Sequence, residues 1–319
     1  MRILITGATG FIGRNLFECF SQREDLDVWG VCHTLAPWTL GKMLQGDLTE
    51  KESAESIIRH IKPDVLIHAA AVSAGAKYIR ENPQALITDS MIMNTRVLEA
   101  AHACGVPHVV LLSCTVLYPM NRPLPVKEDS FDYAEIHPLY SGVAIVKVAL
   151  EGLAKFYADL GKINVTIMRH SNVYGPHDKY DSDRAHMFAA KISEVMRAGD
   201  DGVIVMWGSG REHRDLLYIS DLVDFIELAI ESQVWHYEVF NVGLGEAHTV
   251  RDVVQKIIAA SRKNLRVVFD TTKPTLPVNL ALNISKAKNR LGWEPRVSLT
   301  EGIEKTLAWF KSNVSTARM

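Results

Sequence analysis

The chain is 319 residues long, 47% hydrophobic and 23% charged, with 35 basic and 37 acidic side chains for a formal net charge of −2. That composition excludes a disordered, collagenous or coiled-coil chain, and at roughly 100–200 residues per domain the length allows two domains or one large domain with an appended lobe. The balanced charge supplies no basic field for sequence-independent nucleic-acid binding, so an anionic partner has to be met by a few local Arg and Lys side chains.

Arg2–Thr6 opens the chain as an apolar strand, and Ile12–Phe20 behind it carries the three-to-four-residue period of an amphipathic helix. The alternation continues through strand Val28–Cys32, a short third strand before Gly46, helix Glu50–Ile61, strand Val65–Ala69, helix Gln84–Cys104, strand Val109–Ser113, helix Leu139–Leu160 and strand Asn164–Arg169. The strands are continuous apolar runs, as expected when helices cover both faces of a parallel sheet. This predicts a doubly wound α/β domain.

After about Tyr174, Gly175-Pro176, Gly199–Gly202, Gly208–Gly210 and Gly243–Gly245 punctuate shorter elements: strand Val203–Trp207 and helices Asp221–Glu231, Thr249–Ser261 and Leu299–Ser312. The expected division is a first domain over residues 1–173 and mainly a smaller lobe over 174–319, with the chain crossing back around 215–243. Cys19, Cys32, Cys104 and Cys114 lack C-x-x-C spacing, which speaks against a disulfide framework or zinc knuckle and fits a reducing cytoplasm. No apolar run reaches the ~18 residues of a spanning helix. MRILITGATG meets glycine where a signal peptide stays apolar. A soluble, cytoplasmic, unprocessed protein without membrane, nucleic-acid or metal binding is expected.

Gly7-Ala8-Thr9-Gly10-Phe11-Ile12-Gly13 joins the first strand to the first helix. Gly7 takes the tight turn, Gly10 lets backbone amides approach a pyrophosphate at the helix amino end, and Gly13 allows close helix–strand packing. The pattern is G-x-x-G-x-x-G, a variant of the dinucleotide fingerprint, so residues 1–173 are expected to bind NADP or NAD. Thr9, Phe11 and Ile12 complete the cradle. An acid ending the second strand would grip the ribose hydroxyls of NAD, but Val31-Cys32-His33-Thr34 stands there. Its absence leans toward NADP, with His33 and Arg14 as the nearby cations for a 2′-phosphate. Asp47, followed by Leu48, either accepts from the adenine amine or serves as a turn or capping residue.

Together with this turn, Ala69-Ala70-Ala71, Tyr118-Pro119, Tyr174-Gly175-Pro176-His177-Asp178, Trp207-Gly208-Ser209-Gly210 and Arg214-Asp215-Leu216-Leu217-Tyr218 resemble the extended short-chain dehydrogenase/reductases of the NAD-dependent epimerase/dehydratase family. The likeness is greatest to its GDP-L-fucose synthases, which act as 3,5-epimerases and 4-reductases. It runs through Leu291-Gly292-Trp293 and implies a Rossmann-like sheet with a substrate-binding C-terminal α/β lobe, a GDP-linked or other nucleotide-diphosphate sugar as substrate, and a homodimer.

In that family a Ser or Thr and a Tyr-x-x-x-Lys handle the proton that accompanies hydride transfer. Lys147 matches the Lys, Val143 stands where the phenol belongs, and the nearby phenol is Tyr140. The Ser position falls on Cys114, followed by Thr115, and the epimerisation Cys falls on Val116. Valine does no acid or base chemistry, so little 4-reductase activity is expected unless Tyr140 or another donor substitutes. His186, in Asp183-Arg184-Ala185-His186, matches the acid/base histidine, and the Cys114 thiol either titrates low beside Lys147 and a nicotinamide cation, as a second acid/base, or is buried and inert. Epimerisation is then the chemistry this site best supports. The absence of a carboxylate pair after the fifth strand speaks against a 4,6-dehydratase. For substrate, Arg214 matches the diphosphate-binding guanidinium, Asn172 a diphosphate or sugar contact, Lys191 and Trp207 residues bordering the nucleotide, and Lys273-Pro274 a late basic element. The competing readings are a catalytically silent scaffold or sensor of the same fold, and a reductase carrying an introduced substitution.

Overall fold

The computed structural model describes residues 1–313 except 37, 38, 40, 74, 120–123, 182, 183, 274, 276 and 277; Asp183 and Pro274 of the motifs above thus lie outside the described residues. The strands are β1 (Arg2–Thr6), β2 (Asp27–Cys32), β3 (Met43–Gln45), β4 (Val65–His68), β5 (His108–Cys114), β6 (Asn164–His170), β7 (Asn172–Tyr174), β8 (Val203–Trp207), β9 (His213–Arg214), β10 (Leu216–Tyr218), β11 (Tyr237–Val242), β12 (His248–Thr249) and β13 (Arg266–Asp270). The α-helices are α1 (Phe11–Phe20), α2 (Lys51–Ile61), α3 (Ala76–Glu81), α4 (Thr88–Cys104), α5 (Ser141–Asp159), α6 (Met187–Arg197), α7 (Ile219–Glu231), α8 (Val250–Ser261), α9 (Ser285–Leu291) and α10 (Leu299–Asn313).

Among the described residues, seven strands form one parallel sheet in the order β11-β6-β5-β4-β1-β2-β3. The chain winds outward from β1 in both directions, which makes the fold doubly wound. Alternate residues of the buried strands feed two cores. Ile3, Ile5, Val65, Ile67, Val110 and Leu112 pack with α1 and α7, in a cluster that runs on into α6 and α8. Leu4, Leu66, Val109, Leu111, Val165 and Ile167 pack with α2, α4 and α5. The lobe therefore grows out of one core without a break.

Two features differ from the sequence expectation. The segment expected as one helix over 84–104 begins as α4 only at Thr88; a turn after Pro83 separates it from the short α3, because a residue that precedes proline is pushed out of the helical region. β8 pairs with β13, a strand not expected from the sequence, while β11, within residues 215–243, inserts beside β6 at the edge of the sheet. Among the described residues no helix is long and apolar enough to cross a membrane.

Candidate active site

At the carboxyl end of β1 the chain enters Gly7, whose φ of +66° is left-handed. A Cβ there would stand 2.6 Å from the Ala70 Cα, and one at Gly13 would stand 2.2 Å from the Gly7 carbonyl oxygen. Turn, helix and the end of β4 therefore meet backbone to backbone, and no side chain fits between them. Gly10 caps α1 in extended conformation with no side-chain bond to the first turn, which holds no acidic residue. The amides of Phe11, Ile12 and Gly13 have no acceptor within the helix, so the helix end presents donors and positive potential to an anion. Thr9 is half-buried in the turn, and Ala69 and Ala70, with the exposed Ala71, flank it from the end of β4. This cradle fits the pyrophosphate of a nicotinamide dinucleotide.

A hydrogen-bond relay stiffens its floor. The Ala70 amide donates to Thr6 Oγ1 at 3.3 Å, Thr6 Oγ1 lies 2.8 Å from His68 Nδ1, and His68 Nε2 lies 3.0 Å from Asn94 Oδ1. With Nε2 donating to the Asn94 oxygen, Nδ1 accepts from the Thr6 hydroxyl, which leaves its oxygen to receive Ala70. His68 must then be neutral; burial, together with the Lys147 charge, pushes it down to about 4.

At the end of β2, His33 is exposed and its Nε2 lies 3.6 Å from Asp47 Oδ2. Asp47 Oδ1 accepts from the Thr49 amide and hydroxyl at 2.9 and 2.7 Å, so this oxygen serves the turn before α2 while the other faces His33. Those Thr49 bonds are the main cause of its lowered pKa. Leu48 points into the core. Arg14 donates to Glu18 at 2.7 Å, and Glu18 also takes His177 Nε2 at 3.0 Å; the guanidinium is thus held on α1.

In a doubly wound fold the ligand crevice lies outside the carboxyl ends of the strands, here those of β5 and β6. Cys114 ends β5, with Thr115 half-buried after it, and Lys147 on α5 donates to the Leu112 carbonyl at 2.7 Å. Burial lifts the Cys114 thiol above its ordinary value, and the opposing Lys147 charge does not overcome it. Of the two readings of this thiol, burial favours the inert one: an ammonium lowers a thiol pKa only when it offsets the lost hydration. Val143 packs on Ile79 and Leu86 together with Tyr140. Burial also raises the Tyr140 phenol, and the charges acting on it are those of Arg214, Cys114 and Arg80. Tyr140 precedes the first residue of α5, seven positions before Lys147, which is not among those charges.

His186 caps α6 and is held beside the post-β4 loop: the Gly75 amide donates to the Arg184 carbonyl at 3.0 Å and Lys179 Nζ to the Ser73 carbonyl at 2.7 Å. The residue is exposed, and desolvation with the Lys179 charge lowers it toward about 4. Its exposure to solvent screens part of that effect.

From the lobe, Arg214 on β9 donates to the Val278 and His213 carbonyls at 2.7 and 3.0 Å. Desolvation lowers it, while the Tyr140 and Glu212 charges act in the opposite direction. Asn172 opens β7, exposed, with Nδ2 3.3 Å from the Asp215 carbonyl. Trp207 at the end of β8 is 47% exposed. Lys191 bonds Glu194 at 2.6 Å and the Val205 carbonyl at 2.8 Å, bracing α6 on β8. Lys273 stands exposed in the loop after β13.

The model of the NAD dependent epimerase/dehydratase family matches residues 3–243. The chain belongs to that family. It is 27% identical over 313 residues to the GDP-L-colitose synthase of Yersinia pseudotuberculosis, covering 97% of this chain and 98% of that one. Identity to the GDP-L-fucose synthase of Sinorhizobium fredii is 28% over 319 residues, covering 98% and 96%. Among solved structures, the UDP-glucose 4-epimerase of Thermotoga maritima with UDP-glucose superposes with a TM-score of 0.86 at 25% identity, covering 98% of this chain and all (100%) of that one. The Thermus thermophilus UDP-glucose 4-epimerase in complex with NAD gives 0.83, also at 25%, covering 98% and 99%.

Sequence reasoning passed over two features of this epimerase/dehydratase chain. His170, at the tip of β6, lies beside Cys114, and a buried pair, Glu151 and Arg169, lies beneath both. His170 stands two residues before Asn172, a candidate substrate contact, and that adjacency was the available signal.

Proposed function

We propose that the protein is an NAD(P)-dependent enzyme that epimerises a nucleotide-linked, preferentially GDP-linked, 4-keto deoxy-sugar and reduces it poorly or not at all by way of a phenol. The reading is supported chiefly by one arrangement: the Tyr140 phenol feels Arg214 of the lobe and Cys114 of the sheet at once. Substrate held by a guanidinium on one side thus meets the ends of β5 and β6 on the other. When bound, the dinucleotide supplies or accepts hydride.

The chain's own residues divide the remaining work. Gly7, Gly10 and Gly13 admit the pyrophosphate, and Ala69–Ala71 wall it. Lys147, held by the Leu112 carbonyl, supplies positive potential at the floor. His186 removes and returns the proton next to the ketone, Cys114 and Thr115 hydrogen-bond its oxygen, and Arg214, Tyr140, Asn172 and Trp207 receive the diphosphate and nucleotide. Residues 1–173 with β11 carry the cofactor, and the remainder of the chain mainly carries the sugar. With no carboxylate at the end of β2 and His33 exposed there, we assign NADP over NAD.

The α4 and α5 faces bearing Ile92, Ile145 and Phe156, each at least 40% exposed, are assigned to pairing with a second copy. The test is wash-in of solvent deuterium into 4-keto sugars. Label at C3 or C5 that disappears in His186→Ala supports the proposal; NADPH oxidation without label makes the protein a reductase. Val143 favours the second reading, a silent scaffold, for which the outcome is tight dinucleotide binding with no turnover of any sugar.

A further inference from the structure

His170 ends β6 in register with Cys114 on β5 and Val242 on β11. Partners in a parallel pair project to the same face, so imidazole and thiol leave the floor of the crevice side by side. His170 Nδ1 lies 2.8 Å from the Ser171 carbonyl oxygen. A carbonyl only accepts, so Nδ1 carries the proton and Nε2 presents a lone pair. Nε2 has no partner among the described residues and is not sealed from solvent. The tautomer is thereby fixed and the basic nitrogen is left for a ligand.

We propose that His170 is the proton-transfer residue of the hydride step, doing in this chain what a phenol at position 143 would do. The inference rests on the NAD(P)-dependent nucleotide-sugar reading above. In oxidation Nε2 takes the sugar hydroxyl proton as hydride leaves the carbon for the nicotinamide. In reduction the carbonyl carbon gains hydride from the dihydronicotinamide, the π pair passes to oxygen, and that oxygen bonds the proton from Nε2–H. Solvent restores the imidazolium.

The groups facing the ring are Lys147 from α5, His186 from the lobe and Cys114 from β5; β11 offers the apolar Val242. Burial first, then the Lys147 and His186 charges, push the free imidazole down to about 4. At neutral pH it is therefore a proton acceptor, and the negative charge of a bound diphosphate raises it toward the range in which it also donates.

The test compares wild-type, H170Q, H170A and Y140F proteins for NADPH oxidation with a panel of GDP- and UDP-linked 4-keto-6-deoxy sugars as pH is varied. Imidazole carbon–proton spectra are recorded with and without NADP⁺. H170Q is expected to lower kcat by roughly 10²–10⁴-fold and to flatten the fall of kcat with rising pH. Free imidazole restores rate to H170A, and Y140F keeps the pH slope whatever its rate. The His170 resonance, assigned by its loss in H170Q, shifts when NADP⁺ binds. H170N replaces H170Q if the latter does not fold. Wild-type rate or pH slope in H170Q, loss of the slope in Y140F, or a His170 resonance indifferent to NADP⁺ overturns this inference alone. A wild-type protein that turns over nothing in the panel overturns the proposed function, and this inference with it.

Discussion

Arg169 and Glu151 meet in a two-pronged pair, Nη2 to Oε2 at 2.7 Å and Nε to Oε1 at 3.0 Å, with side-chain exposures of only 8% and 10%. Ser113 donates to the same Oε1 at 2.5 Å, and Arg169 Nη1 reaches the Tyr118 hydroxyl at 3.1 Å and the Glu128 carbonyl at 2.8 Å. The pair thus ties β5, β6 and α5 together one helical turn from Lys147, and it lies under the crevice floor rather than in it. Removing one partner leaves a buried charge. R169M or E151L alone is expected to cost about 3–5 kcal/mol, with much of the loss recovered in the double variant. Urea unfolding measures this, and additive losses in the double variant would contradict the coupling.

The glycine cradle makes a second, sharper claim. In Gly13→Ala the new methyl meets the Gly7 carbonyl at 2.2 Å, so α1 must move off the turn that its amides serve. Dinucleotide affinity should fall by at least roughly tenfold, the equivalent of about 1.4 kcal/mol. Quenching of protein fluorescence by NADPH reports it; unchanged affinity would remove the cradle as the cofactor site.

Acid should loosen the floor of that cradle. His68 is 2% exposed and held down at about 4, against about 6.5 for a free imidazole. A lowered folded pKa means that its contribution is complete above the unfolded value and is lost as pH falls from about 6.5 through about 4. H68Q is expected to be less stable at neutral pH but to lose stability more gradually on acidification. Thermal unfolding across that window checks the sign; parallel curves for the two proteins would be the contrary result.

Arg214→Ala removes the guanidinium that the lobe holds on the Val278 and His213 carbonyls. Charge-assisted bonds to a phosphate contribute about 1.5–3 kcal/mol, so GDP should bind roughly ten- to a hundredfold more weakly while NADPH binding is unaffected. Calorimetry with both ligands separates the two, and an equal loss for both would mean that Arg214 serves the fold.

Phe156 on α5 is 58% exposed. Phe156→Lys is expected to yield a monomer from a wild-type dimer in sedimentation at micromolar concentration, with the fold intact by circular dichroism. A wild-type monomer would end the pairing claim.

Local patterning was enough to read β1, the glycine turn and α1, because a strand, a turn requiring glycine and an amphipathic helix each write their needs into adjacent residues. The same holds for the alternation that makes the sheet doubly wound. The break before α4 is legible in hindsight at Pro83, although the helical period on either side conceals it. Parallel pairing leaves no such mark: nothing around Tyr237–Val242 states that it adds to β6, nor around Arg266–Asp270 that it adds to β8, since each partner lies far away in sequence. The same limit governs the site. That His170 arrives beside Cys114, that Lys147 is held by a carbonyl two residues before that thiol, and that Glu151 meets Arg169 all follow from strand register and helix docking. Whether the thiol titrates high or low was likewise decided by packing, because the desolvation that outweighs a nearby ammonium exists only once the chain has closed around it.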